Sequence, residues 1–255
     1  MNRTLTLGVA LSFIMYGAAA AQARDSMGAM PGMDSADAHA ADAAEHEMSG
    51  TMMANPHMVM TPARPLQPGD SARALALLDE IRHSLARYQD VNAATADGYR
   101  RFLPGVKHQP VYHYTNRMNA LQARAHFDPN KPTSLLYRED SPGHLVLVGA
   151  MYSDAADTPL DELDRRIPLS IAHWHRHVNW CLPPLGARAR WTETKDGRPV
   201  FGPKSAIATR EACDAVGGRF FPQLFGWMVH VNAFASNPGE IWGDHHHDEG
   251  PQKGM

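Results

Sequence analysis

Apolar and polar positions change period twice along this chain. Leu75, Leu78, Ile81, Leu85 and Tyr88 recur at helical spacing behind Asp70 or Ser71, either of which can cap a helix. A second short helix is predicted over "VNAATADGYRRF", ending near Gly98. From about residue 110 the period shortens to that of strands. "PTSLLYRED" and "HLVLVGAMY" are apolar runs parted by a turn-forming Ser-Pro-Gly, and the second is apolar on both parities, as in a strand covered on both faces. "LSIAHWHRHVNW" and "QLFGWMVHVNAF" complete the strong strands. "RARWTETKDGRPVFG" reads as a hairpin about Asp196-Gly197, and "TREACDAVGG" as a helix capped by Thr209 and stopped by Gly217. This order implies an α+β fold: a largely antiparallel sheet or sandwich with the N-terminal helices packed at one end.

Strand parity gives the polar positions meaning, because successive side chains point to opposite faces. Ile171, His173, His175, His177 and Asn179 share one face. Ala172, Trp174, Val178 and Trp180 share the other, with Arg176 as its polar member. In the last strand Phe225, Trp227, Val229, Val231 and Ala233 form an apolar face, opposite Met228, His230 and Asn232. A third segment supplies His113, between Tyr112 and Tyr114, with Asn116 close by. Two imidazoles at i and i+2, joined by one from a neighbouring strand, supply three nitrogen donors and leave a coordination position open, an arrangement suited to zinc or copper. The candidate metal ligands are therefore His113, His173, His175, His177 and His230, with Asn116, Asn179 and Asn232 as groups that orient the imidazoles. The competing reading is an exposed strand face whose histidines are solvated.

Composition narrows the setting. The 255 residues suffice for one good-sized domain and an extension, and 44% are apolar. The net charge of −3 and the lack of a basic stripe with interleaved aromatics exclude nucleic acid as an expected partner. Residues 1–23 read as a secretory signal peptide: Arg3, an apolar run from Leu5 to Tyr16, then small residues. The run is too short to span a membrane comfortably, so no stable insertion is expected after cleavage and the location is periplasmic or secreted. Residues 24–69 are a low-complexity stretch without aromatics, read as disordered. This stretch holds eight methionines together with His39, His46 and His57, and soft thioethers beside imidazoles favour copper, Cu(I) above all, over zinc. Residues 70–243 form the single α+β domain, and residues 244–255 a flexible His-rich tail. Cys181 and Cys213 are expected to form a disulfide in an oxidising compartment, the alternative being a thiolate metal ligand. No Gly-X-Ser-X-Gly, His-Glu-X-X-His or phosphate-binding glycine loop occurs, so no catalytic residue is assigned.

As a set, "ARYQDVNAATADGY", "YHYTN", "SLLYRED" with "HLVLVGAMY", and "HVNAFASNPGEIW" resemble a family of exported bacterial proteins with no established activity. The elements that carry the likeness are RY-D-A-A-ADGY, HY-N, LLY...LVG-Y and a His-Val followed by NP-G. It covers roughly residues 85–243 and implies a common fold in which His113 and His230 hold recurring positions. The "HWHRH" string and the Met/His-rich stretch are additions to that pattern. In geometry only, the three-His arrangement is similar to the zinc sites of α-carbonic anhydrases and the metal sites of cupins. Three functions remain open. One is a periplasmic metal-binding protein, copper favoured, with a strand-borne histidine site and a Met/His-rich capture tail. Another is a three-His metalloenzyme in which bound water attacks a small substrate. The third is an unmetallated extracellular binding or structural domain that uses its Trp-rich sheet.

Overall fold

A computed structural model describes residues 55–102, 104 and 109–243. The expected signal peptide, residues 24–54 and the tail from Asp244 lie outside the described residues. The strands are β1 (Met58–Met60), β2 (Arg100–Arg101), β3 (Tyr112–Thr115), β4 (Ser134–Ser141), β5 (His144–Asp154), β6 (His175–Leu182), β7 (Thr194–Lys195), β8 (Arg198–Pro199), β9 (Arg219–Gln223) and β10 (Trp227–Val231). The helices are α1 (Asp70–Leu85), α2 (Val91–Ala96), α3 (Arg117–Ala123), α4 (Leu160–Arg166), α5 (Arg210–Ala215) and α6 (Pro238–Ile241). Eight strands make one antiparallel sheet in the order β1-β6-β10-β5-β4-β3-β2, with β9 paired to the far half of β6. The fold is α+β, with one large sheet rather than a sandwich.

Local chemistry explains the elements. The apolar stripe of α1 buries Leu78, Ile81 and Leu85 on the sheet. Gly69 rather than Asp70 holds the N-cap; the Asp70 carboxylate instead accepts from the Gln67 amide and, at 2.6 Å, from the Ser170 hydroxyl. Asp90 caps α2 and Thr209 caps α5, each accepting a backbone amide of the first turn. Asp196 and Gly197 both take positive φ, as a tight two-residue hairpin between β7 and β8 requires.

The main core fills one face of the sheet. Tyr112, Leu135, Tyr137, Ala150, Tyr152, Trp227, Val229 and Val231 meet α1 there, and Trp174 is fully buried among them. The larger of these side chains each contribute about 1.5–3 kcal/mol by leaving water. At the end of β5 the buried Asp154 carboxylate pairs with Arg166 of α4 at 2.5 Å. The Cys181–Cys213 disulfide ties β6 to α5. Gly218 stands over this bridge so closely that a Cβ would lie 2.5 Å from the Cys181 sulfur. None of the described helices is long and apolar enough to cross a membrane.

Three sequence expectations are corrected. Residues 55–69 are not disordered, since β1 pairs with β6 and His57, Met58 and Thr61 are buried. Order there comes from partners distant in sequence, which composition does not register. Second, the third strong strand begins at His175, not at Leu169; the amides of Ile171 and Ala172 turn back onto the Pro168 carbonyl. Third, Trp180 does not point away from His177: the two rings lie 5.4 Å apart. Asn179 adopts a left-handed φ of 59°, which breaks the alternation between them.

Candidate metal centre

The sheet face opposite the main core is polar and sulfur-bearing. Residues paired across antiparallel strands point to the same side, so the register identifies its members. Met58 pairs with His177 and Met60 with His175. His175 pairs on its other flank with Met228. Met228 and His230 continue to Ser153 and Met151 on β5, Met151 to Ser134 on β4, and the row reaches His113 opposite Leu136. Imidazoles from three strands and thioethers from three strands therefore share one surface.

The rings form a chain. Their centroids lie 5.6 Å apart from His113 to His230, 5.2 Å from His230 to His175, and 5.6 Å from His175 to His177. Imidazole nitrogens about 2.0 Å from one tetrahedral ion place neighbouring ring centres about 5 Å apart, so each successive pair is spaced for a shared ion. All four are buried, at 6%, 6%, 1% and 8% exposure for His113, His230, His175 and His177. Phe225 packs against His177, and Phe102 against Phe225. Burial pushes the His113 ring down to about 4, against a hydrogen bond with the Val111 backbone and aided by the nearby His175. His177 is pushed down to about 3, first by burial and then by His175, His57 and His113. At neutral pH both rings are uncharged, the form that offers a lone pair to a metal.

Of the histidines expected from the sequence, the structure brings His113, His175, His177 and His230 together. His173 precedes β6, is half-buried, and makes no ring contact with the others. Its displacement follows from the late start of the strand: Trp174 is held by Thr61, whose amide donates to the Trp174 carbonyl at 2.8 Å. The asparagines do not orient these imidazoles. Asn116 caps α3, accepting from the amides of Met118 and Asn119, and donates to the Asp97 carbonyl. Asn232 donates to the carbonyls of Glu240 and Gly243, fixing the end of α6. Asn179 does meet a histidine, through its carbonyl, but the partner is His57.

His57 is the residue whose place sequence reasoning missed. Its ring nitrogens lie 3.0 Å from the Asn179 carbonyl and 2.6 Å from the Ser205 carbonyl, and the Asn179 amide donates to the Pro56 carbonyl. This clip seats the start of β1 and, with it, Met58 and Met60. The alternating "MVM" is the faint signal that could have revealed the strand.

Among the described residues, no group of three or more His, Cys, Asp or Glu side chains is gathered to hold a metal ion. The imidazoles run as a row, not a closed triangle. Methionines flank the row: Met60 and Met228 stand directly opposite His175. In comparisons with known proteins, no family model, curated protein or solved structure matches this chain.

Proposed function

We propose that this chain is an exported metal-binding protein, copper favoured, whose ion sits on the His/Met face of the sheet. The observation that carries the reading is the buried row His113-His230-His175-His177, with successive centroids 5.2–5.6 Å apart. The Cys181–Cys213 bond fits an oxidising compartment, and the periplasm is the location we assign. The Met/His-rich residues before Asn55 act, in this reading, as a capture segment that feeds β1. Copper stands at the top of the divalent affinity series and its cuprous form accepts thioethers, which favours it over zinc on this face. The thioethers of Met60 and Met228 favour a binding site over a hydrolytic centre, which draws on imidazoles, thiolates and carboxylates.

The test is to purify the mature, untagged protein from the exported fraction and measure bound metals by elemental mass spectrometry. A His175→Ala/His230→Ala variant, checked for folding by circular dichroism, serves as the control. Stoichiometric copper lost in the variant supports the reading. A wild-type protein that carries none, and cannot be loaded at sub-micromolar free ion, refutes it.

A further inference from the structure

Resting on that reading, the register assigns a specific ligand set: we propose a soft monovalent-ion site in which His175 and His230 supply nitrogen and Met60 and Met228 supply sulfur. His175 is the centre. It lies on β6 between two strands, and the residue directly opposite it is a methionine on each side, Met60 of β1 and Met228 of β10. Directly paired residues hold their Cβ atoms about 4.5–5.5 Å apart, within reach of a flexible thioether. His230 follows Met228 by two residues on β10, and its ring lies 5.2 Å from that of His175. Met228 is buried and Met60 half-buried, so one thioether closes the interior side and the other faces the sheet edge.

The donor types select the ion. Two neutral nitrogens and two thioethers carry no formal charge. Divalent zinc prefers thiolates, imidazoles and carboxylates, whereas thioethers suit the soft Cu(I) ion. A filled-shell monovalent ion also imposes little geometric demand, which suits ligands drawn from three strands. β1 thereby gains a chemical role: it carries one ligand at the sheet edge, within the Met/His-rich stretch of the chain.

The experiment uses the full mature chain labelled with [13C]methyl-methionine, and Ag(I) as a redox-inert probe for Cu(I). Met60→Leu and Met228→Leu assign the two methyl resonances while keeping side-chain bulk. The expected result is that both resonances move with the first equivalent of Ag(I), and that the same excess of Zn(II) leaves them in place. The double variant, with an unchanged amide spectrum, should bind the first Ag(I) at least about tenfold more weakly. If the protein retains stoichiometric metal while the Met60 and Met228 methyls stay still, the thioether assignment is wrong and the broader metal reading stands. If the first equivalent moves only other methionines, the assignment is likewise overturned. If neither Ag(I), copper nor Zn(II) is retained, both fail. Should the double variant unfold, the single variants decide: each must weaken Ag(I) binding while the remaining assigned methyl still responds.

Discussion

Mild acid should destabilise the metal-free protein through His113 and His177. Both rings are uncharged and buried in the native state, with values pushed from 6.5 to about 4 and about 3. In the unfolded chain they titrate near 6.5, so between that value and the native one the unfolded state binds more protons and stability rises with pH. Stability is therefore full above about pH 6.5 and falls as the pH drops towards 4. Going from pH 7 to pH 5 should cost about 2 kcal/mol per ring, or about 4 kcal/mol for the two acting separately. That is a large share of the roughly 5–15 kcal/mol that holds a domain together. Urea denaturation followed by tryptophan fluorescence, with the disulfide intact, measures it. At an m-value of about 2 kcal/mol/M the midpoint should fall by about 2 M. His177→Gln should remove about half of this pH response, whatever its effect on stability at pH 7. Midpoints at pH 5 and pH 7 that agree within about 0.3 M would refute the burial argument. Bound metal should not remove the dependence, because a metallated site takes up no proton in the native state while the unfolded chain still does.

The remaining predictions concern what holds the face in place. Reducing Cys181–Cys213, which closes a 32-residue separation, should cost about 4 kcal/mol on the loop-entropy account, read as a fall in urea midpoint with and without reductant. Arg166→Met leaves the buried Asp154 carboxylate without its ion pair and should cost about 3–5 kcal/mol; a melting temperature unchanged from wild type would show the pair to be idle. His57→Ala should loosen β1 before the rest of the sheet, so that the Val178 amide, which donates to the His57 carbonyl, exchanges at least about tenfold faster by native-state hydrogen exchange while β5 amides are unaffected.

Much of this architecture is legible in local pattern because local physics decides it. The stripe Leu78, Ile81, Leu85 specifies α1, and the pairing of Asp196 with Gly197 specifies the hairpin. Strand parity correctly joins His175 with His177, and Met228 with His230, since two-residue periodicity is a property of any extended chain. What pattern could not supply are the non-local choices. Met58 and Met60 read as part of a low-complexity stretch because three residues become a strand only when an edge is offered to them. His173 falls outside the row because Thr61 fixes where β6 can begin, and Trp180 turns towards His177 because one asparagine leaves the extended region. Asn116 was the avoidable error. An asparagine directly before a helix-forming run is first of all a cap.

The polar face itself argues for a ligand. A sheet covered on both sides reaches its best stability with apolar residues on both, and burying a group that must stay uncharged carries a penalty in acid that an isoleucine or valine would not. Here the apolar side is built in the ordinary way, with Tyr137, Tyr152, Val229 and Val231 under α1. The opposite side carries four buried imidazoles, three of them paired across to methionines of neighbouring strands. Departures from the simplest stable solution that cluster at one place are the pattern expected of a functional site. Scattered solvent-facing histidines would show no such continuity. Imidazoles and thioethers assembled away from water are the donor set that suits a soft ion, which is why we propose one here.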